Sequence, residues 1–192
     1  MINFNKAKFI KSAPSYREGP FDKAEIIVIG KSNVGKSTLI NALTNNSNLA
    51  KTSSKPGHTK LLNYFLIDDS FYLVDAPGYG YTLTGSKHLD SFAKMMESYF
   101  DNPKLKGIIF LIDSRHEMSR DDKDFFDFIL TKNLPVLVTY TKCDKLNQSE
   151  KAKMLKRDSL NIENTDLIHS IFTSSTNKTG IDVLKKEITK II

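Results

Sequence analysis

Apolar residues fall along this chain in two rhythms. Short continuous runs, AEIIVIG (24–30), LLNYFLI (61–67), FYLVDAP (71–77), GIIFLID (107–113), PVLVTYT (135–141) and IHSIFTS (168–174), read as buried strands. Between them, Leu89, Phe92, Ala93, Met96 and Phe100 recur at helical spacing, as do Phe125, Phe126 and Ile129 within 119–132, and Ile181, Leu184, Ile188 and Ile191 near the C-terminus. STLINALT, after the first strand, carries a first helix, and 149–162 is a lysine-rich helix with a weaker apolar stripe. This alternation predicts an α/β fold, a mostly parallel sheet covered by helices on both faces. Only Asp68, Asp69 and Ser70 separate 61–67 from 71–77, so those strands form an antiparallel hairpin. Residues 1–23 read as an extended lead-in to a single domain spanning 24–192. The stretch 44–60 is a polar loop, long enough to be either functional or disordered.

Composition narrows the setting. A chain of 192 residues buries a continuous core without metal or disulfide staples. Cys143 is the only cysteine, which excludes an intrachain disulfide and leads us to expect a reducing compartment, the cytoplasm. It reads as a small packed side chain rather than a redox switch. The first twenty residues lack a signal-peptide hydrophobic region and no run approaches a membrane span, so a soluble protein without membrane attachment, and a monomer, is expected. His58, His88, His116 and His169 show no metal-ligand spacing. The formal charge of +6 and pI near 9.2 admit two readings. One is a polyanionic partner such as RNA. The other is biased codon usage, since only Arg17, Arg115, Arg120 and Arg157 among the 28 basic residues are arginine, and asparagine and isoleucine are also abundant.

The candidate chemistry begins at GKSNVGKS, which matches G-x-x-x-x-G-K-[ST] through Gly30, Gly35, Lys36 and Ser37, between a strand and a helix. Glycines let successive backbone N–H groups curl around phosphate oxygens, and the helix N-terminus adds its positive dipole end. Lys36 is expected to reach the β- and γ-phosphates, and the Ser37 hydroxyl to ligate Mg²⁺.

Further motifs stand at strand ends in order. Asp75-Ala76-Pro77-Gly78 offers a carboxylate that can hold Mg²⁺ through water and a glycine N–H for the γ-phosphate. Thr59, in PGHTK, is placed to give Mg²⁺ a second hydroxyl. Thr141-Lys142-Cys143-Asp144 follows a strand, where the Asp144 carboxylate can accept from both N1–H and the 2-amino group of guanine, which adenine lacks. Lys142 would lay its stem along the base, and Ser174 and Ser175 would supply N–H groups to the guanine oxygen.

These elements resemble the five guanine-nucleotide motifs of small GTPases. GKSNVGKSTLINAL, KPGHTKLLNYF, YLVDAPGYGY, IDSRHEMSRDD, TYTKCD and TSSTNKTG, with FIKSAPSYREGP ahead of them, resemble the bacterial YihA/EngB/YsxC ribosome-biogenesis GTPases of the TrmE-Era-EngA-EngB-Septin-like class. Thr141 in place of the usual asparagine and the sequence PGYGY after Ala76 make the likeness specific, while Thr82-Leu83-Thr84-Gly85 departs from the pattern. The resemblance implies a Ras-like six-stranded sheet with one antiparallel strand. It implies Gly30, Lys31, Ser32, Asn33, Val34, Gly35, Lys36 and Ser37, with Gly57, His58, Thr59, Lys60 and Leu61, on phosphates and ribose. Asp75, Ala76, Pro77 and Gly78 would lie near the γ-phosphate, and Thr141, Lys142, Cys143, Asp144, Thr173, Ser174 and Ser175 on guanine. Mg²⁺ would be held by Ser37 and Thr59. It further implies GTP hydrolysis coupled to assembly of the large (50S) ribosomal subunit, and a family link to cell division and septation.

Lys36, Asn33, Thr59 and Gly78 are the residues expected to act on the reacting phosphate. Tyr79 stands where many GTPases carry a water-orienting glutamine, so slow intrinsic turnover is expected. Asn33 has two readings: a ligand for an activating K⁺, as in potassium-activated relatives, or a residue suited to a turn. The segments 44–60 and 78–88 would be the two switches. Lys51, Lys55 and Lys60, or Lys151, Lys153, Lys156 and Arg157, would be the surfaces that meet RNA. Two alternatives stay open: a GTP-gated binding module in which hydrolysis is incidental, and a P-loop ATPase or nucleotide kinase, against which Asp144 argues.

Overall fold

The computed structural model describes residues 2–51, 61–80, 86–161 and 166–192. Seven strands, β1 (Ala7–Ala13), β2 (Ala24–Gly30), β3 (Leu62–Ile67), β4 (Phe71–Asp75), β5 (Leu105–Asp113), β6 (Val136–Thr141) and β7 (Ile168–Phe172), form one sheet in the order β1-β3-β4-β2-β5-β6-β7. Helices α1 (Lys36–Thr44), α2 (Ser86–Phe100), α3 (Arg120–Leu130), α4 (Gln148–Asn161) and α5 (Ile181–Ile191) connect them. No described helix is long and apolar enough to cross a membrane.

Strand side chains alternate between two faces, and each face carries its own core. Ile26 and Val28 of β2 join Leu73, Ile109 and Leu111 under Leu39, Ile40 and Leu43 of α1 and Ile181, Leu184 and Ile188 of α5. Ile27 and Ile29 face the other way, with Val74, Ile108, Phe110 and Val138, against Met96 and Tyr99 of α2, Phe126 and Ile129 of α3 and Met154 of α4. β2 pairs in parallel with β4 on one side and β5 on the other, so both its edges and both its faces are covered. Such burial explains why its sequence is a continuous apolar run rather than an alternating one.

Two expectations need correction. Among the described residues the sheet has seven strands, not six, because β1, within the lead-in, pairs antiparallel with β3 from Ala7↔Ile67 to Ala13↔Leu62, with a bulge between Phe9 and Lys11. It is an edge strand, exposed along most of its length, so it carries no run of buried residues to betray it. β3 still runs against all the others, as the hairpin required. Ala93, placed on the buried stripe of α2, is exposed; Phe92, Met95, Met96 and Tyr99 form that face instead.

The last turn of the site depends on one backbone position. Gly180 precedes α5 with φ 70, and a Cβ there would run into the carbonyl oxygen of Phe172. Gly180→Ala combines a left-handed conformation with a backbone clash, so it should cost about 2 kcal/mol or more. A denaturant midpoint lowered at unchanged slope is the expected result.

Candidate nucleotide site

The parallel strands β2, β4, β5, β6 and β7 point their C-terminal ends to one rim of the sheet, where open α/β sheets bind ligands. Gly30 ends β2 against its neighbours: a Cβ there would lie 2.8 Å from Val34 Cγ1 and 3.0 Å from Leu111 Cβ. Without side chains to spread it, the loop turns back tightly. Asn33 (φ 64) and Gly35 (φ 109) complete the turn in left-handed conformations, the first tolerated by asparagine and the second by glycine. Gly35 then opens α1 without any side-chain cap, leaving the first N–H groups of the helix for an anion.

Other strands hold this loop in shape. The Thr141 hydroxyl donates to the Val34 carbonyl at 2.7 Å, and Lys142 Nζ donates to the Asn33 carbonyl at 2.9 Å. From the β4 side, the Ser32 N–H donates to the Tyr79 carbonyl at 2.8 Å and the Ser32 hydroxyl to the Gly78 carbonyl at 3.3 Å. Lys31 and Tyr79 thereby extend the parallel β2–β4 pairing past both strand ends. Gly78 is packed so closely that a Cβ would lie 2.9 Å from Lys36 Nζ and from Ser32 Cα and Oγ.

Two ionisable groups sit at the bottom of the cradle. Lys36 Nζ reaches the Gly30 carbonyl at 3.4 Å, and burial lowers its pKa while Asp75 works against that shift. Asp75 is buried at the end of β4, which pushes its carboxyl up to about 6 despite Lys36 and Ser37. Its Oδ2 receives only a long bond, 3.5 Å, from the Ser37 hydroxyl, and its Oδ1 is buried without a hydrogen-bond partner among the described residues. An unmatched carboxylate oxygen beside a serine hydroxyl is a hard-oxygen donor set of the kind Mg²⁺ takes, so the residues fit that ion.

At the other end of the rim, Lys142 adopts φ 60 and starts the short 3₁₀ turn Cys143–Lys145. The Cys143 N–H donates to the Thr173 carbonyl at 3.1 Å, and the Thr173 N–H to the Tyr140 carbonyl at 2.7 Å, so the loops after β6 and β7 are stitched together. Cys143 is buried, and burial raises its thiol pKa, which suits the packed role. A hydrogen bond from Ser174 keeps the half-buried Asp144 carboxyl below its ordinary value, holding it ionised. The Ser174 N–H is taken by the Thr179 carbonyl at 3.0 Å, so of the two expected donors to the guanine oxygen it leaves only Ser175.

Sequence reasoning missed Asp113, at the end of β5. Arg115 grips it through Nε at 2.9 Å and a terminal nitrogen at 2.7 Å, while Lys142 Nζ reaches Oδ2 at 2.9 Å. Burial pushes the Asp113 carboxyl up, but the Arg115 and Lys142 hydrogen bonds outweigh it and hold the group well below the usual carboxylate range. Arg115 is therefore joined through Asp113 to Lys142. The signal was present as D-x-R at a strand end, without a partner to assign. Tyr79 is also placed differently from a water-orienting residue: it is buried, with its hydroxyl on Asp122 at 2.8 Å. Gly57, His58, Thr59 and Lys60, with Lys55, lie outside the described residues, as do Thr82 to Gly85; Leu61 is exposed just before β3.

The chain's likenesses agree with this geometry. The family model described as "50S ribosome-binding GTPase" matches residues 25–142. A probable GTP-binding protein EngB from Lactobacillus helveticus is 47% identical over 156 residues, 80% of each chain. Another from Clostridium beijerinckii is 42% identical over 187 residues, 95% of this chain and 93% of that one. Among solved structures, a probable GTP-binding protein engB has TM-score 0.67 at 24% identity, covering 88% of this chain and 98% of that one. Era bound to MgGDPNP and nucleotides of 16S ribosomal RNA has TM-score 0.66 at 25% identity, covering 90% and 57%. A P-loop held by β2, β4 and β6, on a Ras-like sheet with these relatives, is the frame of a GTPase, and the chain belongs to the EngB family of GTP-binding proteins.

Proposed function

We propose that this GTPase binds GTP across the rim from β2 to β7, hydrolyses it to GDP and phosphate, and uses the two states as a switch during assembly of the large ribosomal subunit. The observation that carries the nucleotide part is the convergence on one rim of the uncapped α1 N-terminus, the unmatched Asp75 Oδ1 and the ionised Asp144. The large-subunit part is supported by the family description, and contact with ribosomal RNA more generally by the likeness to an Era bound to 16S RNA.

Each residue then has a task. The N–H groups of Asn33, Gly35, Lys36 and Ser37 surround the phosphates, those of Ser32 and Val34 being taken by the Tyr79 and Lys31 carbonyls, and Lys36 places its ammonium on the β- and γ-phosphates. Ser37, Thr59 and, through water, Asp75 would hold Mg²⁺, which would supply charge neutralisation for the phosphate oxygens. The Gly78 N–H meets the γ-phosphate. Asp144 accepts from the guanine N1–H and 2-amino group, the Lys142 stem covers one face of the base, and Ser175 donates to its oxygen. Asp113 and the Asn33 carbonyl keep Lys142 in that place. Tyr79, buried on Asp122, leaves the attacking water without a side-chain amide, so the isolated protein should turn over slowly.

Potassium is the proposed activating ion; the exposed Asn33 side chain would hold it, and its charge would serve where an arginine finger otherwise stands. The partner surface is basic: Lys151, Lys153 and Lys156 are exposed on α4, and Lys51 is exposed ahead of the 52–60 segment. Arg157 is half-buried and pairs with Glu117 at 3.3 Å. The proposed setting is the cytoplasm, with the protein a monomer.

Asp144→Asn should lower GTP affinity about a hundredfold, the loss of a charge-assisted pair of bonds, and raise preference for xanthosine triphosphate, whose 2-oxo group matches an amide donor. Competition binding against a fluorescent guanine nucleotide reads both, and unchanged GTP affinity would remove Asp144 from the base. Single-turnover hydrolysis should be faster in KCl than in NaCl, and Asn33→Ala should erase the difference; equal rates in the two salts leave Asn33 a turn residue. Co-sedimentation with purified large subunits should require a non-hydrolysable GTP analogue and survive moderate salt. Equal binding in GDP that vanishes as salt rises would reduce the basic charge to nonspecific attraction.

A further inference from the structure

The Tyr79 hydroxyl donates to Asp122 Oδ1 at 2.8 Å. The other oxygen of Asp122 accepts from the Ser119 N–H at 2.8 Å and from its hydroxyl at 2.6 Å, in the capping box that opens α3. The Ser119 hydroxyl in turn accepts from Lys31 Nζ at 3.3 Å. Lys31 and Ser32 of the phosphate loop are thus tied to Tyr79 twice: through the main chain at Ser32, and through the side chains of Ser119 and Asp122. Gly78 lies inside this closed circuit, with its carbonyl on the Ser32 hydroxyl.

Packing alone does not call for the circuit. The Tyr79 ring packs against Phe92 and Phe125, with centroids 6.3 Å and 5.2 Å away, in a triangle of rings that a phenylalanine would complete as well. The hydroxyl is what distinguishes tyrosine here, and at 4% exposure it must find a buried acceptor. Asp122, itself 8% exposed, is that acceptor, although α3 already uses the same carboxylate as its cap.

We propose that Asp122 and Tyr79 are positioning residues for GTP hydrolysis: their bond fixes the Gly78 main chain against Ser32 and Lys36, so that its N–H is aimed before the nucleotide arrives and GTP is told from GDP there. This rests on the reading of Gly78 as the γ-phosphate contact. A donor fixed in advance costs less ordering when the phosphate binds and again when its charge develops. The bond contributes nothing to a nucleotide that lacks the γ-phosphate.

The test compares the full chain with Tyr79→Phe, which keeps the ring, and with Gly78→Ala, whose Cβ would lie 2.9 Å from Lys36 Nζ. Affinities for GDP and for a non-hydrolysable GTP analogue are measured together with kcat, KM and thermal midpoint. Tyr79→Phe should lower analogue affinity about tenfold, the equivalent of one buried hydrogen bond, with GDP affinity within about twofold of the parent and kcat reduced. Equal losses for both nucleotides that track a lower thermal midpoint, or no loss for either, overturn the proposal. Gly78→Ala separates the two levels. If it leaves the ratio of analogue to GDP affinity at the parent value, the γ-phosphate contact itself is wrong; if it collapses the ratio while Tyr79→Phe does not, only the positioning role falls.

Discussion

Everything at the functional rim depends on β2 being buried on both faces and paired on both edges. A strand so enclosed cannot slide or fray, since a one-residue slip would turn Ile26 and Val28 toward the face that Ile27 and Ile29 now fill. Its end is therefore fixed, and the phosphate loop starts from a fixed point. The loop itself has little side-chain bulk with which to hold its own shape. Its geometry is borrowed: Thr141 and Lys142 of the β6 end support it on one side, and Gly78 and Tyr79 of the β4 end on the other.

This borrowing makes the motifs interdependent. Lys142 belongs to the guanine motif by sequence, yet its ammonium holds the carbonyl of Asn33 in the phosphate motif. The Asp75 carboxyl is pushed up because the desolvation of its burial is only partly offset by Lys36 and Ser37, and its Oδ1 is left without a hydrogen-bond partner among the described residues.

Much of this was legible in the chain because its cause is local. Continuous apolar runs marked β2, β5 and β6, whose burial on both faces is what makes such runs. Glycines with positive φ or no room for a Cβ marked the phosphate loop. What escaped has non-local causes. β1, AKFIKSA, has neither a continuous apolar run nor a strict alternation, and gains strand identity only from β3, far along the chain. The Ser119-x-x-Asp122 spacing signals a helix start, but nothing in it announces that Tyr79 would arrive on the same carboxylate. The loss of the Ser174 N–H to Thr179 likewise follows from the tight return into α5 through Gly180, a backbone path that residue types alone do not draw.

Asp113 has a last consequence, in how far one change at the end of β5 would reach. It is shared by two cations, Arg115 and Lys142, so a single carboxylate answers a pair of positive charges there. Removing that carboxylate would leave the two cations side by side without a counter-charge, and their repulsion would draw the Lys142 ammonium away from the Asn33 carbonyl, carrying the disturbance from β5 into the loop that follows β2.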